Sequence, residues 1–192
     1  MTLNDSDVIL KTSKGSLTVK NGKGKTLNIV DFAGNAYSTV LGGKDMTLTN
    51  AAASSITADS GIKQINASKR TAVIQITGNK LNNSIVGGSG KDSLYGGAGN
   101  DTLRGGKGND SLWGGTGADT FIYKAGDGKD VIFGFEETDT LLVGCPDFTT
   151  SYENNVFTLK FDDGSIQLKN FTASTLNIDN DVYKVSGSQL VK

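Results

Sequence analysis

Four aspartates, Asp92, Asp101, Asp110 and Asp119, recur at intervals of nine residues, and each closes the same kind of run: GGSGKD, GGAGND, GGKGND and GGTGAD. The chemistry such a run offers is oxygen donation. Each supplies one carboxylate and a string of backbone carbonyls that glycine leaves unobstructed. A hard cation taking about six to eight oxygens suits that supply, and calcium is the one that tolerates flexible geometry. Magnesium demands a tight octahedron and dehydrates reluctantly. Zinc lacks ligands here, because the chain contains no histidine and one cysteine. No single loop completes the shell, so two loops must share an ion.

The elements that position these carboxylates are written in the rest of the period. From Gly87 to Ile122 the phrase is G-G-x-G-x-D-x-U-x, where U is Leu94, Leu103, Leu112 or Phe121. Glycines at the first, second and fourth positions permit the positive φ of a tight loop. The apolar U residue is the inward position of a short strand, so one nonapeptide is half a coil and two make a full turn. Loops on one edge then alternate along the sequence. Asp92 is expected to face Asp110, and Asp101 to face Asp119, about one strand spacing (~4.8 Å) apart. Asn83 with Asp101 and Asp110 with Asp130 form weaker or terminal pairs. Stacked carboxylates raise each other's pKa or push the loops apart, and a bound cation converts that repulsion into a clamp.

The phrase decays in an orderly way on both sides. Upstream, GNKLNNSIV (residues 78–86) keeps a glycine and Ile85 but has Asn83 for the aspartate. Downstream, after an insertion at Tyr123 and Lys124, AGDGKDVIF restores Gly126, Gly128, Asp130 and Ile132. Sixteen of the 26 glycines lie between Gly78 and Gly134, and a flexible linker would not keep a strict period of nine.

These residues resemble the RTX (repeats-in-toxin) haemolysin-type family of secreted bacterial proteins, most closely over about residues 78–133. The resemblance implies an all-β fold: a right-handed parallel β-roll (a β-solenoid) with calcium-bound GGxGxD loops and a C-terminal antiparallel β cap. The candidate metal ligands are then the aspartates Asp92, Asp101, Asp110, Asp119 and Asp130, with Asn83. The second and fourth loop glycines join them: Gly88, Gly90, Gly97, Gly99, Gly106, Gly108, Gly115 and Gly117. Several calcium ions are expected. Glycine-rich segments lose much backbone entropy on ordering, and each half-coil buries one large side chain, so binding and folding should be one event.

Composition narrows the remaining classes. The net charge of −1 combines 17 Lys and two Arg with 17 Asp and three Glu. The lysines are dispersed without aromatic platforms, which argues against nucleic-acid binding. The start MTLNDSDVIL lacks the basic and apolar regions of a classical signal peptide, and no stretch is long enough to span a membrane. Without histidine, the Ser-His-Asp and Cys-His devices are closed. Cys145, alone beside Pro146 and Asp147, reads as a small packing residue. Paired carboxylates could still serve glycoside chemistry, but the acids stand at repeat positions or in turns such as Asp162-Asp163-Gly164. The chain is therefore not expected to be an enzyme.

Four regions follow: an N-terminal β segment over 1–45, calcium-free solenoid turns over 46–77, the calcium roll over 78–134, and a β cap with a possible secretion-signal region over 135–192. Ile56, Ile65 and Ile74 are nine apart, as are Ile76 and Ile85, which extends the solenoid upstream. The segment 133–143 reads as an exit from the spiral, and the alternation in 156–161, 165–168 and 175–178 as cap strands. Residues 15–29 align without gaps to 164–178 with eight identities in fifteen, a sign that the chain begins with the closing element of a preceding module.

The resemblance implies a secreted, extracellular protein, in some settings associated with the cell surface. It would leave the cell through a type I secretion apparatus, unfolded in the low calcium of the cytosol and folded by calcium outside. Two other readings are a structural or adhesive module of a large surface protein, with neighbouring modules of the same polypeptide as partners, and the C-terminal tail of a secreted protease, lipase or cytolysin.

Overall fold

The computed structural model describes strand backbones at Val8–Thr12, Gly15–Val19, Thr26–Val30, Ala36–Val40 and Asp45–Leu48, and then residues 55–58, 61–145 and 147–192. The chain winds between two sheets. In the first, strands Gln64–Asn66, Ser84–Val86, Thr102–Arg104, Thr120–Tyr123 and Thr140–Val143 pair in parallel. In the second, strands Ser55–Thr57, Gln75–Thr77, Ser93–Ala98, Ser111–Thr116 and Lys129–Phe133 do the same. Successive strands alternate between the sheets, which is a parallel β-solenoid.

Each strand turns a large residue inward, and Thr120–Tyr123 and Thr140–Val143 add a second, Tyr123 and Val143. The first sheet stacks Ile65, Ile85, Leu103, Phe121 and Leu141, and the second stacks Ile56, Ile76, Leu94, Leu112 and Ile132. All but Ile56 are buried. The inward position assigned to Leu94, Leu103, Leu112 and Phe121 is therefore observed. The file follows from the period of two, which sends alternate side chains to the outer face, Ser93 and Tyr95 on either side of Leu94 and Ser111 and Trp113 on either side of Leu112.

The turns upstream of the repeats differ from a simple nine-residue period. Ile65 pairs with Ile85 and Ile56 with Ile76, each twenty residues on. Ile74 is not a strand residue. It lies in a loop, at the place that Asp92 takes one turn later, and its amide donates to Asp92 Oδ1 at 2.9 Å.

The spiral also does not leave off after residue 134. Thr140–Val143 continues the first sheet in parallel with Thr120–Tyr123. Strands Gly164–Lys169 and Thr175–Ile178 then add one more parallel rung to the second and first sheets. The antiparallel part hangs on that rung. Thr149–Glu153 and Val156–Phe161 extend the second sheet, while Asp181–Ser186 and Gln189–Val191 extend the first. The reading of an antiparallel cap holds, with its inner rung belonging to the roll. Its phenylalanines continue the core, with Phe121, Phe135, Phe171 and Phe157 in sequential contact at ring distances of 5.8, 6.3 and 5.5 Å.

At the other end, Asp45–Leu48 pairs in parallel with Gln64–Asn66, and Ala36–Val40 and Thr26–Val30 follow it antiparallel. Val8–Thr12 and Gly15–Val19 form a hairpin.

Candidate metal centre

The loops fall on two edges. Outbound loops, from the first sheet to the second, are 67–74, 87–92, 105–110 and 124–128; the return segments are 78–83, 96–101, 114–119 and 134–139, of which 96–98 and 114–116 are the ends of strands Ser93–Ala98 and Ser111–Thr116. Backbone and carboxylate tie the loops of one edge into a ladder. On the outbound edge the amide of Asp92 donates to Asp110 Oδ1 at 2.7 Å, and that of Asp110 to Asp130 Oδ1 at 3.0 Å. On the return edge Asn83 N–H donates to Asp101 Oδ1 at 2.7 Å, and Asp101 N–H to Asp119 Oδ1 at 2.8 Å. The expected pairings are those the structure makes. Asn83 is buried in its ladder but spends its amide group internally, accepting from Asn79 N–H and donating to the carbonyl of Ile62.

One rung was not read from the sequence. Asp119 N–H donates to Asp139 Oδ1 at 2.9 Å, and Asp139 is itself buried. Its spacing of twenty from Asp119 equals that of Asp130 from Asp110, so the two-residue insertion carried the signal. The GFEETD segment that ends on it hides the signal, because it keeps the first glycine, Gly134, but has Phe135 and Glu137 where the repeats have the second and fourth. Asp127 was also missed. It is buried and held by the Arg104 guanidinium through two bonds of 2.8 and 3.2 Å, and it accepts from the Lys124 amide.

The glycines divide by role. Gly97, Gly99, Gly106, Gly108, Gly115 and Gly117, second and fourth in their loops, have φ between +101° and +131°. The first-position glycines Gly87, Gly96, Gly105 and Gly114 do not adopt positive φ, nor do Gly88 and Gly90. Space is what they need. A side chain on Gly105 or Gly114 would collide with the carboxylate of Asp110 or Asp119. Gly88 and Gly90 lie under the backbone of Arg70 and Ala72, whose loop lacks glycines. Between successive turns the carbonyl oxygens of Gly88, Gly90, Gly97 and Gly99 come up against the Cα of Gly106, Gly108, Gly115 and Gly117. Carbonyl oxygens also come beside carboxylates at the first glycine: Gly105 O and Asp92 Oδ2 approach the same face of Gly87, and Gly114 O and Asp101 Oδ2 that of Gly96.

The carboxylates themselves fit a cation. Oδ2 of Asp101, Asp110 and Asp119 is buried and accepts no hydrogen bond, a costly state for a charged oxygen. Burial pushes Asp101 up to about 6, and the neighbouring Asp119 adds to the rise. Asp110 rises to about 7 through burial and the charges of Asp92 and Asp127. Asp130 rises to about 8 through burial, Asp110 and Asp127, with Arg104 opposing. Asp92 and Asp119 are raised mainly by burial. Among the described residues, no three acidic or cysteine side chains converge as a metal site, so an ion here would be held mostly by carbonyls. Calcium accepts that kind of shell.

Residues 77–112, 95–127 and 113–144 match the family model described as RTX calcium-binding nonapeptide repeat. No curated protein matches the chain. Among solved structures, the solution structure of the AlgE6R3 subunit of the Azotobacter vinelandii mannuronan C5-epimerase is 25% identical with a TM-score of 0.47, over 63% of this chain and 87% of that one. The extracellular lipase LipA of Serratia marcescens is 20% identical with a TM-score of 0.37, over 88% of this chain and 28% of the lipase. No helix among the described residues is long and apolar enough to cross a membrane. The segment 77–144 is a block of RTX calcium-binding nonapeptide repeats.

Proposed function

We propose that the chain is a module of a secreted bacterial protein whose roll folds on meeting extracellular calcium. The observation that carries this reading is the set of buried, unbonded Oδ2 atoms on Asp101, Asp110 and Asp119. Beside Asp101, the carbonyl of Gly114 approaches the same face of Gly96 as the bare Oδ2 does. Asp92, Asp130 and Asn83 extend the two columns at their ends, and the carbonyls of Gly88, Gly90, Gly97, Gly99, Gly106, Gly108, Gly115 and Gly117 complete the oxygen supply. Without a cation the ladder is a stack of buried like charges, which disfavours the folded loops. With calcium the same stack becomes the clamp.

That coupling suits export through a type I secretion apparatus. Low cytosolic calcium leaves the repeats threadable, and extracellular modules bind at ~10⁻⁴ to 10⁻³ M, matched to the concentration outside. On this reading residues 78–134 are the calcium roll, 46–77 its ion-free turns and 135–192 its cap. Circular dichroism and small-angle scattering test it. The chain should be expanded in chelator, compact at millimolar calcium and little changed by magnesium. Equal compactness with and without calcium overturns the folding switch.

A second reading, a repeated module of a longer surface polypeptide, is favoured by the ends. In the hairpin Val8–Thr12/Gly15–Val19, Thr12 pairs with Gly15. In the hairpin Val156–Phe161/Gly164–Lys169, Phe161 pairs with Gly164. The aligned segments 15–29 and 164–178 thus both open on the second strand of a hairpin closed at the same place. Sequence upstream of Met1 tests it, since further rolls support the modular reading and a catalytic motif opposes it.

A further inference from the structure

The element that closes the roll occurs twice in the chain. One constant offset carries the pairs Phe157↔Leu168, Leu159↔Ile166 and Phe161↔Gly164 of the C-terminal hairpin onto Val8↔Val19, Leu10↔Leu17 and Thr12↔Gly15 of the N-terminal one. The strands that follow match in kind. Thr175–Ile178, Asp181–Ser186 and Gln189–Val191 run antiparallel in succession, as do Thr26–Val30, Ala36–Val40 and Asp45–Leu48.

In the C-terminal copy two strands meet the roll. Gly164–Lys169 pairs in parallel with Lys129–Phe133, and Thr175–Ile178 with Thr140–Val143. Gly164 is there to admit the roll. Its φ is not positive, but a Cβ would strike the Gly128 carbonyl and the Tyr123 hydroxyl. Ile166 and Leu168 lie opposite Asp130 and Ile132. Asn177 Nδ2 donates to the carbonyls of Glu137 and Asp139 at 3.1 and 3.0 Å, which ties down the last return segment.

The N-terminal copy keeps residue types that serve this contact. Gly15, Leu17, Val19 and Asn28 stand where Gly164, Ile166, Leu168 and Asn177 do. Yet the edges that would use them carry no strand. Among the described residues Gly15–Val19 pairs with Val8–Thr12 alone, and Thr26–Val30 ends its sheet.

We propose that the free edges of Gly15–Val19 and Thr26–Val30 are a docking site for the last turn of another calcium roll, carried upstream in the same polypeptide. Its final two strands add in parallel, as Lys129–Phe133 and Thr140–Val143 do at the other end. The five-strand element is then a joint. It closes one roll and, through the parallel pairing of Asp45–Leu48 with Gln64–Asn66, opens the next. This rests on the repeated-module reading above and names the surface by which modules join.

An extended chain tests it, with residues 46–149 of the same sequence placed directly before Met1 of the full chain. That junction preserves the offset between the two copies. The extended chain should bind twice the calcium of the original and scatter as one elongated particle. Gly15→Val should cost it the added half of the calcium, and should leave calcium binding of the unextended chain unchanged. An added roll that takes up no calcium overturns the proposal, as does one that takes it up equally with Gly15→Val. Sedimentation of the unextended chain should give a monomer in calcium. A calcium-dependent dimer that Gly15→Val abolishes would assign the edges to a second copy and overturn the proposal likewise. Natural sequence upstream of Met1 without rolls would sink the repeated-module reading, while the extended chain still reads whether these edges close a roll.

Discussion

The amide of Asp101 donates to Oδ1 of Asp119, eighteen residues on, while Oδ2 of Asp119 is buried without a hydrogen bond. One carboxylate therefore has two separate duties. Its first oxygen fixes the register of adjacent turns, and its second is left for a cation. The division recurs at Asp110, whose Oδ1 takes the Asp92 amide. It explains why the ladder has its shape without metal and why that shape is unfavourable without it.

Replacing Asp119 by Asn separates the two duties. The side-chain oxygen still accepts from Asp101 N–H, but the charge and the free oxygen are gone. Since calcium affinity follows ligand charge, half-saturation should move to about tenfold higher calcium or more. The calcium-free chain should be more ordered than wild type, because a buried charge has been removed. Calorimetric titration and circular dichroism in chelator check the two halves. A variant that loses affinity and is also less ordered without calcium would show that the charge is not the obstacle to folding.

Acid should substitute for calcium. Burial raises Asp101 and Asp139 to about 6, Asp110 to about 7 and Asp130 to about 8, from a usual 3.8. Between those limits the folded chain holds more protons than the unfolded one, so its metal-free stability is greatest at low pH and is lost as pH rises through the window. Calcium-free chain should be visibly more folded near pH 5 than near pH 8, and apparent calcium affinity should fall as pH drops. Circular dichroism along a pH series reads the first effect and titration calorimetry the second. Order that is flat across the series would mean the carboxylates are solvated rather than buried.

Gly115→Ala and Gly61→Ala should part company. Gly115 has φ +111°, and a methyl there would run into the carbonyl oxygen of Gly97. The backbone conformation alone costs about 1–3 kcal/mol in a non-glycine residue, and the displaced carbonyl is one of the proposed ligands. Gly61 has open space around it and no positive φ, so Ala is expected to be neutral or slightly stabilising. Thermal unfolding of both variants at millimolar calcium, with matching midpoints, would speak against the loop geometry.

Much of this was legible because a period of nine is a geometric instruction. Leu94, Leu103, Leu112 and Phe121 announced an inward file, and the aspartates announced ladders that alternate edges. What stayed hidden lay where the phrase is broken. Asp139 holds a full rung, yet its loop replaces the second and fourth glycines with Phe135 and Glu137. The segment after residue 134 looks like an exit because its aromatics break the pattern, while its backbone goes on pairing with Thr120–Tyr123. Arg70 and Arg104 could not be placed from sequence at all. Neither belongs to the motif, and the pairing of Arg104 with Asp127 depends on which turns meet across twenty-three residues. Pattern specified the repeating part, and three-dimensional adjacency specified the ends.

Trp113, the only tryptophan, gives the roll an optical readout. Its ring stacks on Tyr95 at 4.4 Å and 11°, and on Phe133 at 4.5 Å and 4°. Lys169 lies 5.6 Å from the Phe133 ring at the end of the row. These residues come from four successive strands of the second sheet, on its outer face, so the stack exists only when those turns are in register. Calcium should therefore change Trp113 emission in step with the circular dichroism signal. Each stacked pair contributes about 0.5–1.5 kcal/mol beyond burial, so Trp113→Ala should lower stability at saturating calcium by about 1–3 kcal/mol. It should leave the calcium stoichiometry intact, because no loop oxygen is touched. Denaturant unfolding measures the first quantity and titration calorimetry the second. A lost calcium site in Trp113→Ala would mean that the outer stack sets loop spacing, contrary to the separation of wall and edge that the two ladders imply.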